Sequence, residues 1–274
     1  MRRSLSRAGG VLFAAIGLCQ PALAQDRAGA AVADTDERRI ADLVLASRIL
    51  VNEGVLDSFG HVTVRSKSDP NVYFMPRAMP PGLVTAADIV KLSLDSVPLD
   101  PKAPRTNGER FIHGEIYKAR PDVQAVVHSH VQSVLPFSVT PSHPLRPMTH
   151  MAGFLAAKVP VFDHRNFSKD NPAAVGKLMV NTAPLGAALA RTLGNESVVL
   201  IRSHGDAVVG SSLQWAVFRA VYTDINARAQ LAAAQLGSDT IYLNDDELKM
   251  HAVEVFDAQR AWDNFVSRLP KQAP

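Results

Sequence analysis

Apolar positions along this chain switch repeatedly between a helical spacing and a strand-like one, and the switches fall at polar or glycine-containing breaks. Asp34, Thr35 and Asp36 offer N-caps to a stretch that places Ile40, Leu43, Val44, Leu50 and Val51 on one helix face, and Gly54 can end it. His61 to Arg65 alternates as a strand, Asn71 to Met75 reads as its hairpin partner, and Val90 to Leu94 as a third strand. Short connections favour antiparallel pairing of the three. From Asn107 to Ala119 the spacing is helical until Arg120-Pro121-Asp122 breaks it, and the apolar run Val123 to Val127 then leads directly into His128. A strand follows at Val159 to Phe162, then a helix near Pro184 to Leu193. Two more strands, Ser197 to Ile201 and Ala207 to Val209, flank Ser203-His204-Gly205-Asp206. Two long helices, about Leu213 to Leu236 and Asp245 to Leu269, finish the chain. The pattern predicts the α/β class: one domain with helices packed against a mainly antiparallel sheet.

The first residues stand outside that pattern. Arg2, Arg3 and Arg7 precede an apolar run from Val11 to Leu18, and Ala22-Leu23-Ala24 has the small-x-small form of a signal-peptidase site. The run is shorter than the roughly 20 residues of a spanning helix, so residues 1–24 read as a cleaved signal peptide, 25–34 as a linker and 35–270 as the folded domain. A periplasmic or secreted location follows, with no membrane attachment after cleavage. The export route, general or twin-arginine, stays open.

Cleavage changes the charge balance of the 274-residue chain. Its formal net charge is +3, and the three arginines ahead of Gln25 account for it, leaving 26 basic against 26 acidic residues. The mature chain therefore offers no reason to expect nucleic-acid or membrane-surface binding. Cys19, the single cysteine, would leave with the leader. Any metal in the mature protein must then be held by His, Asp or Glu.

His128-Ser129-His130 is the tripeptide most suggestive of chemistry, because side chains at i and i+2 of a strand leave the same face and can reach one ion. His204 can add a third imidazole where one apolar strand ends and Gly205 permits a tight turn. Three neutral imidazoles with an open position suit a catalytic divalent cation, zinc, manganese or iron. With nine histidines in the chain, an HxH pair also arises by chance. Spacing alone leaves both readings standing.

The stretch Glu109-Arg-Phe-Ile-His113, followed by Tyr117-Lys-Ala-Arg-Pro-Asp-Val-Gln-Ala-Val-Val-His-Ser-His130, resembles the central signature of the class II aldolase/adducin family. Ser58-Phe-Gly-His-Val-Thr-Val-Arg65 resembles the family's early glycine loop and strand, and Leu200 to Gly210 its third-ligand segment, so the likeness runs from about Ile40 to Val253. The resemblance implies a single-domain α/β/α sandwich, a divalent metal on His128, His130 and His204, and Glu109 as the acid/base group. A first-turn glutamate favoured by the helix dipole is the plainer account of Glu109. The resemblance also implies a homotetramer with the active site at a subunit boundary.

The family's sugar-phosphate aldolases cradle phosphate with Gly-Asn, Thr-Gly and Ser-Ser pairs, and the matching positions here are Gly60-His61, Arg77-Ala78 and Asn107-Gly108. The tyrosine that donates a proton in those enzymes is matched by His150. These departures are similar to the branch that decarboxylates hydroxylated aromatic or pyridine dicarboxylates, as are Phe59 to Val62, Glu109 to Gly114 and His204-Gly205-Asp206. By that likeness the chain is a metal-dependent carbon–carbon lyase acting on a small hydroxylated carboxylate. Arg77 and Arg110 would grip the carboxylate, His61 and Asn107 would line the substrate site, and His150 would serve catalysis. A structural ion pair is an equal reading of Arg110, and packing a fair one of His61. His113, one turn after Glu109, would lie behind the site or serve the fold. The alternatives are an aldolase on an unphosphorylated hydroxycarbonyl compound, a non-catalytic adducin-like module and, more remotely, an iron-dependent oxygenase.

Overall fold

A computed structural model of the chain describes residues 33–167, 177–251, 254 and 256–270. The proposed signal peptide and residues 25–32 of the linker lie outside the described residues. Among those described, no helix is long and apolar enough to cross a membrane.

The first helix, α1 (Asp36–Asn52), starts where Thr35 Oγ1 accepts the Arg38 N–H at 3.2 Å, and the chain turns out of it through Gly54 at φ +74°. It buries Leu43, Ala46, Ile49 and Leu50, one continuous stripe at helical spacing. Next come β1 (His61–Arg65), β2 (Val72–Pro76) and β3 (Ile89–Ser93), within a residue of their expected places. Then α2 (Arg110–Ala119), β4 (Ala125–Ser129) and the short α3 (Leu135–Val139) lead to β5 (Val161–Phe162). The helix α4 (Ala183–Leu193), the strands β6 (Val198–Ile201) and β7 (Gly205–Gly210) and the long helix α5 (Leu213–Leu236) follow. The pattern predicts one helix from Asp245 to Leu269, but the structure has two, α6 (Asp245–His251) and α7 (Ala258–Ser267). Asp257 causes the restart, since its carboxylate accepts the N–H groups of Gln259 and Arg260 as an N-cap.

The seven strands form one sheet in the order β3-β2-β1-β4-β7-β6-β5, antiparallel at every pairing except β5 with β6. One face packs against α1, α5 and α7 through Val62, Val64, Ala125, Val127 and Val208. The other packs against α2 and α4 through Tyr73, Val126, Ala207 and Val209. The result is the expected α/β/α sandwich. Strand alternation decides where the chemistry goes. Val126 faces the α2 layer, so His128 two residues on faces it too. The β1–β4 register sets His61 opposite His128 and Thr63 opposite Val126. Polar side chains are thereby gathered at one edge of an otherwise apolar layer, directly beneath the start of α2.

Candidate metal centre

Strand β4 delivers His128 with its ring fully buried, and His130 stands just past the C-terminal end of the same strand. His204 arrives from the β6–β7 turn, in which Ser203 takes φ +56°. A side chain at Gly205 would collide with the Ser129 carbonyl, so only glycine lets the two strands approach closely enough to present His204 here. Gly60, at φ +81°, does the same in front of β1: a Cβ there would lie 2.8 Å from the His128 carbonyl oxygen.

The three rings converge by Nε2. His130 Nε2 lies 3.2 Å from His128 Nε2 and 2.9 Å from His204 Nε2, and one carboxylate oxygen of Glu109 lies 3.4 Å from both His128 Nε2 and His204 Nε2. All four donor atoms fall within 4.8 Å of one another. The far nitrogens explain the convergence. His128 Nδ1 donates to the Asp206 carbonyl at 2.7 Å, and His204 Nδ1 to the Leu178 carbonyl. A proton fixed on Nδ1 leaves the Nε2 lone pair free and aimed at the common point, the arrangement that outer partners impose on metal-binding histidines. Nitrogen–nitrogen separations near 3 Å are also those of two imidazoles on one ion at roughly 2.0–2.1 Å. The donor set fits a divalent cation.

Glu109 occupies the N-cap position of α2 but makes no cap bond with its side chain. Its other oxygen accepts the Val180 N–H at 2.9 Å. The structure therefore turns this carboxylate toward the histidines and away from the helix end. Burial opposes its charge, yet His128 and His204 hold its carboxyl well below the usual range. Burial likewise works against charge on His204, but Glu109 outweighs it and keeps this imidazole above its ordinary value. His130 is pushed down to about 4 by burial, with the His128 and His204 rings adding to the effect. Behind β4, burial raises the Asp206 carboxyl to about 6 even though the Ser129 hydroxyl donates to it at 2.6 Å.

A cavity of about 350 Å³ opens onto the cluster, lined by Phe59, Gly60, His61, Asn107, Glu109, His130 and Met179. Phe59 and Met179 form apolar lips, and the Phe59 N–H is tied to the Asp57 carboxylate at 2.8 Å. His61 and Asn107 thus line the cavity, whereas Arg77, Arg110 and His150 do not. Arg77 is paired with Asp88 at 2.7 Å. Arg110 donates to the Ser96 and Asn107 carbonyls at 2.8 and 3.2 Å and stacks on Phe111, so it braces the Asn107 loop; among the described residues it neither lines the cavity nor forms an ion pair. His150 packs against His251 and Phe256, in a different part of the same chain. Conversely, the Leu178 carbonyl and Val180 N–H carry no sequence signal, because any residue supplies a backbone group. Thr63 and Tyr117 could have been found: Thr63 lies two strand positions from His61, and Tyr117 one helical turn from His113.

Residues 41–231 match the Class II Aldolase and Adducin N-terminal domain family. The chain is 39% identical over 209 residues to the decarboxylase tropJ of Talaromyces stipitatus, covering 73% of this chain and 77% of that protein. It is 27% identical over 245 residues to the 3,4-dihydroxyphthalate decarboxylase of Arthrobacter keyseri, covering 83% and 92%. The fold is that of an aldolase II superfamily protein from Pseudomonas syringae, with a TM-score of 0.71 at 20% identity over 87% of this chain and 94% of that one. With the family matched over most of the folded residues and its histidine and glutamate set assembled, this chain belongs to the class II aldolase/adducin family, as one of its carbon–carbon lyases.

Proposed function

We propose that the protein removes carbon dioxide from a small aromatic acid that carries a hydroxyl beside the carboxylated carbon, with a zinc, manganese or iron ion on His128, His130 and His204. The observation that carries this reading is the cavity. Its apolar lips, Phe59 and Met179, suit a flat ring, while Glu109, His130, His61 and Asn107 give the rest of its lining polar groups. Two decarboxylases among the relatives support the same reading. A cation held there would supply Lewis acidity to the substrate's hydroxyl oxygen, which must accept the charge left when the carboxylate departs.

Glu109 manages the proton. Ionised in the resting site, it takes the hydroxyl proton as substrate binds. Glu109 then gives that proton to the carboxylated ring carbon while the oxygen takes on ketone character, and the ring–carboxylate bond breaks with its electron pair passing through the ring to that oxygen as carbon dioxide leaves. His61 and Asn107 orient the substrate's oxygens, and Phe59 and Met179 exclude water from the ring. Protein reconstituted with each metal should release carbon dioxide from one or more ortho-hydroxylated aromatic acids and leave sugar phosphates intact. Cleavage of fuculose 1-phosphate or ribulose 5-phosphate, with no carbon dioxide from any hydroxyaryl acid, would favour the aldolase reading instead.

We also propose export with loss of residues 1–24, tested by N-terminal sequencing of the mature protein, and assembly as a homotetramer, tested by light scattering. In a tetramer, His150 would serve a cavity only by reaching that of a neighbouring copy.

A further inference from the structure

We infer that His61 is held as the tautomer with its proton on Nε2 and presents that N–H to an anionic oxygen of the substrate, the tautomer being set from behind by Tyr117, Thr63 and His113. The inference rests on the cavity being the substrate site. It adds a directional chain of positioning residues that runs from the core to the cavity wall.

The chain is short and buried throughout. The Tyr117 hydroxyl is 2.8 Å from Thr63 Oγ1, Thr63 Oγ1 is 2.8 Å from His113 Nδ1, and His113 Nε2 is 2.7 Å from His61 Nδ1. Each link leaves open which atom donates, and the proton count decides it. Thr63 is the hydrogen-bond partner of the Tyr117 hydroxyl among the described residues, so the phenolic proton must go to Thr63 or stay buried without an acceptor. Thr63 then has one proton of its own and two acceptors to choose from, His113 Nδ1 at 2.8 Å and the Val126 carbonyl at 3.5 Å. The short bond takes it, because hydrogen bonds weaken steeply at the longer distance.

His113 must therefore carry its proton on Nε2 and donate to His61 Nδ1. His61 in turn must carry its proton on Nε2, on the cavity side. Running the chain the other way would strand the Tyr117 proton or force Thr63 onto the 3.5 Å bond. At the far end the Asn107 side chain, whose Oδ1 accepts the Glu109 N–H at 3.0 Å, also hydrogen-bonds His61 in the sense that favours a proton on the cavity side of that ring. His61 Nδ1 and His113 Nε2 face each other at 2.7 Å, a contact that holds one proton between the two nitrogens and not two.

Two consequences follow. A neutral N–H donor recognises a carboxylate or phenolate oxygen without adding a competing charge beside the cation. And His61, with no free lone pair facing the cavity, cannot be the base, which leaves Glu109 alone in that role.

The test is long-range proton–nitrogen correlation NMR on the zinc-loaded full chain labelled with ¹⁵N-histidine, with the His61 and His113 signals assigned by their loss in His61→Asn and His113→Asn. Both rings should read as Nε2–H in the wild type and in Thr63→Ser, which keeps the hydroxyl. Thr63→Val should lose the single tautomer and raise KM for the aromatic acid about tenfold while kcat changes less, the loss of one oriented hydrogen bond. A wild-type His61 protonated on Nδ1 overturns the inference whether or not Thr63→Val folds. So does a folded Thr63→Val with wild-type tautomer and KM. Because the tautomer is read without turnover, absence of carbon dioxide release would sink the decarboxylase reading and leave this one standing.

Discussion

Two groups of histidines in this molecule look alike in composition and differ in what they can do. His128, His130 and His204 lie with ring centroids 4.7 to 5.0 Å apart, and His150 and His251 lie 6.0 Å apart beside Phe256. In the first group two rings are anchored by Nδ1 to backbone carbonyls, so their lone pairs meet at one point beside a carboxylate. In the second, the rings are arranged by contact with Phe256, and His251 Nδ1 is buried with no hydrogen-bond partner among the described residues. The difference teaches that a metal centre is made by what holds the outer nitrogens more than by how many imidazoles are near one another.

The largest effect should come from the rings themselves. His128→Ala, His130→Ala and His204→Ala should each lower metal affinity by at least about 100-fold, beyond the roughly 10–100-fold typical of losing an outer partner, as measured by competition with a chelating dye. Next is Glu109→Gln, which keeps the shape but cannot carry the proton. It should retain the ion and lose about 10²- to 10⁴-fold in kcat. Gly205→Ala sharpens the comparison because it removes no ligand. Its methyl group meets the Ser129 carbonyl, so it should displace the His204 turn, weaken metal binding, and cost about 1–3 kcal/mol in denaturant unfolding. His150→Ala, from the second group, should leave metal content at the wild-type level. A fall in its activity with metal retained would mean that a neighbouring copy brings the ring to the cavity.

Acid stability gives a check that depends on pH. His61 falls from its ordinary 6.5 to about 3 in the fold, so below pH 6.5 the unfolded chain binds a proton that the folded chain refuses. Its contribution is fully present above 6.5 and is lost as pH falls toward 3. Thermal melting of metal-free protein should show that decline, with a shallower slope in His61→Asn.

Much of this was legible from local pattern. The strands around His61, His128 and His204 carry strong alternation, and the glycines and polar breaks that bound them are local signals. The sandwich follows because those strands must bury both faces. What escaped reading depends on distant parts of the chain. Arg77 and Arg110 look like carboxylate grips in sequence, and only the fold reveals Asp88 beside one and the Ser96 and Asn107 carbonyls beside the other. The stop between α6 and α7 was available at Asp257, whose capping power the helical spacing around it obscured.

The central claim, that three histidines oriented from behind form one cation site, is tested most directly by metal stoichiometry. Protein loaded with zinc, dialysed and analysed by mass spectrometry for metal should hold one equivalent per chain in the wild type and in His150→Ala, and essentially none in His130→Ala. A wild type that retains no metal, or a His130→Ala protein that retains a full equivalent, would contradict it.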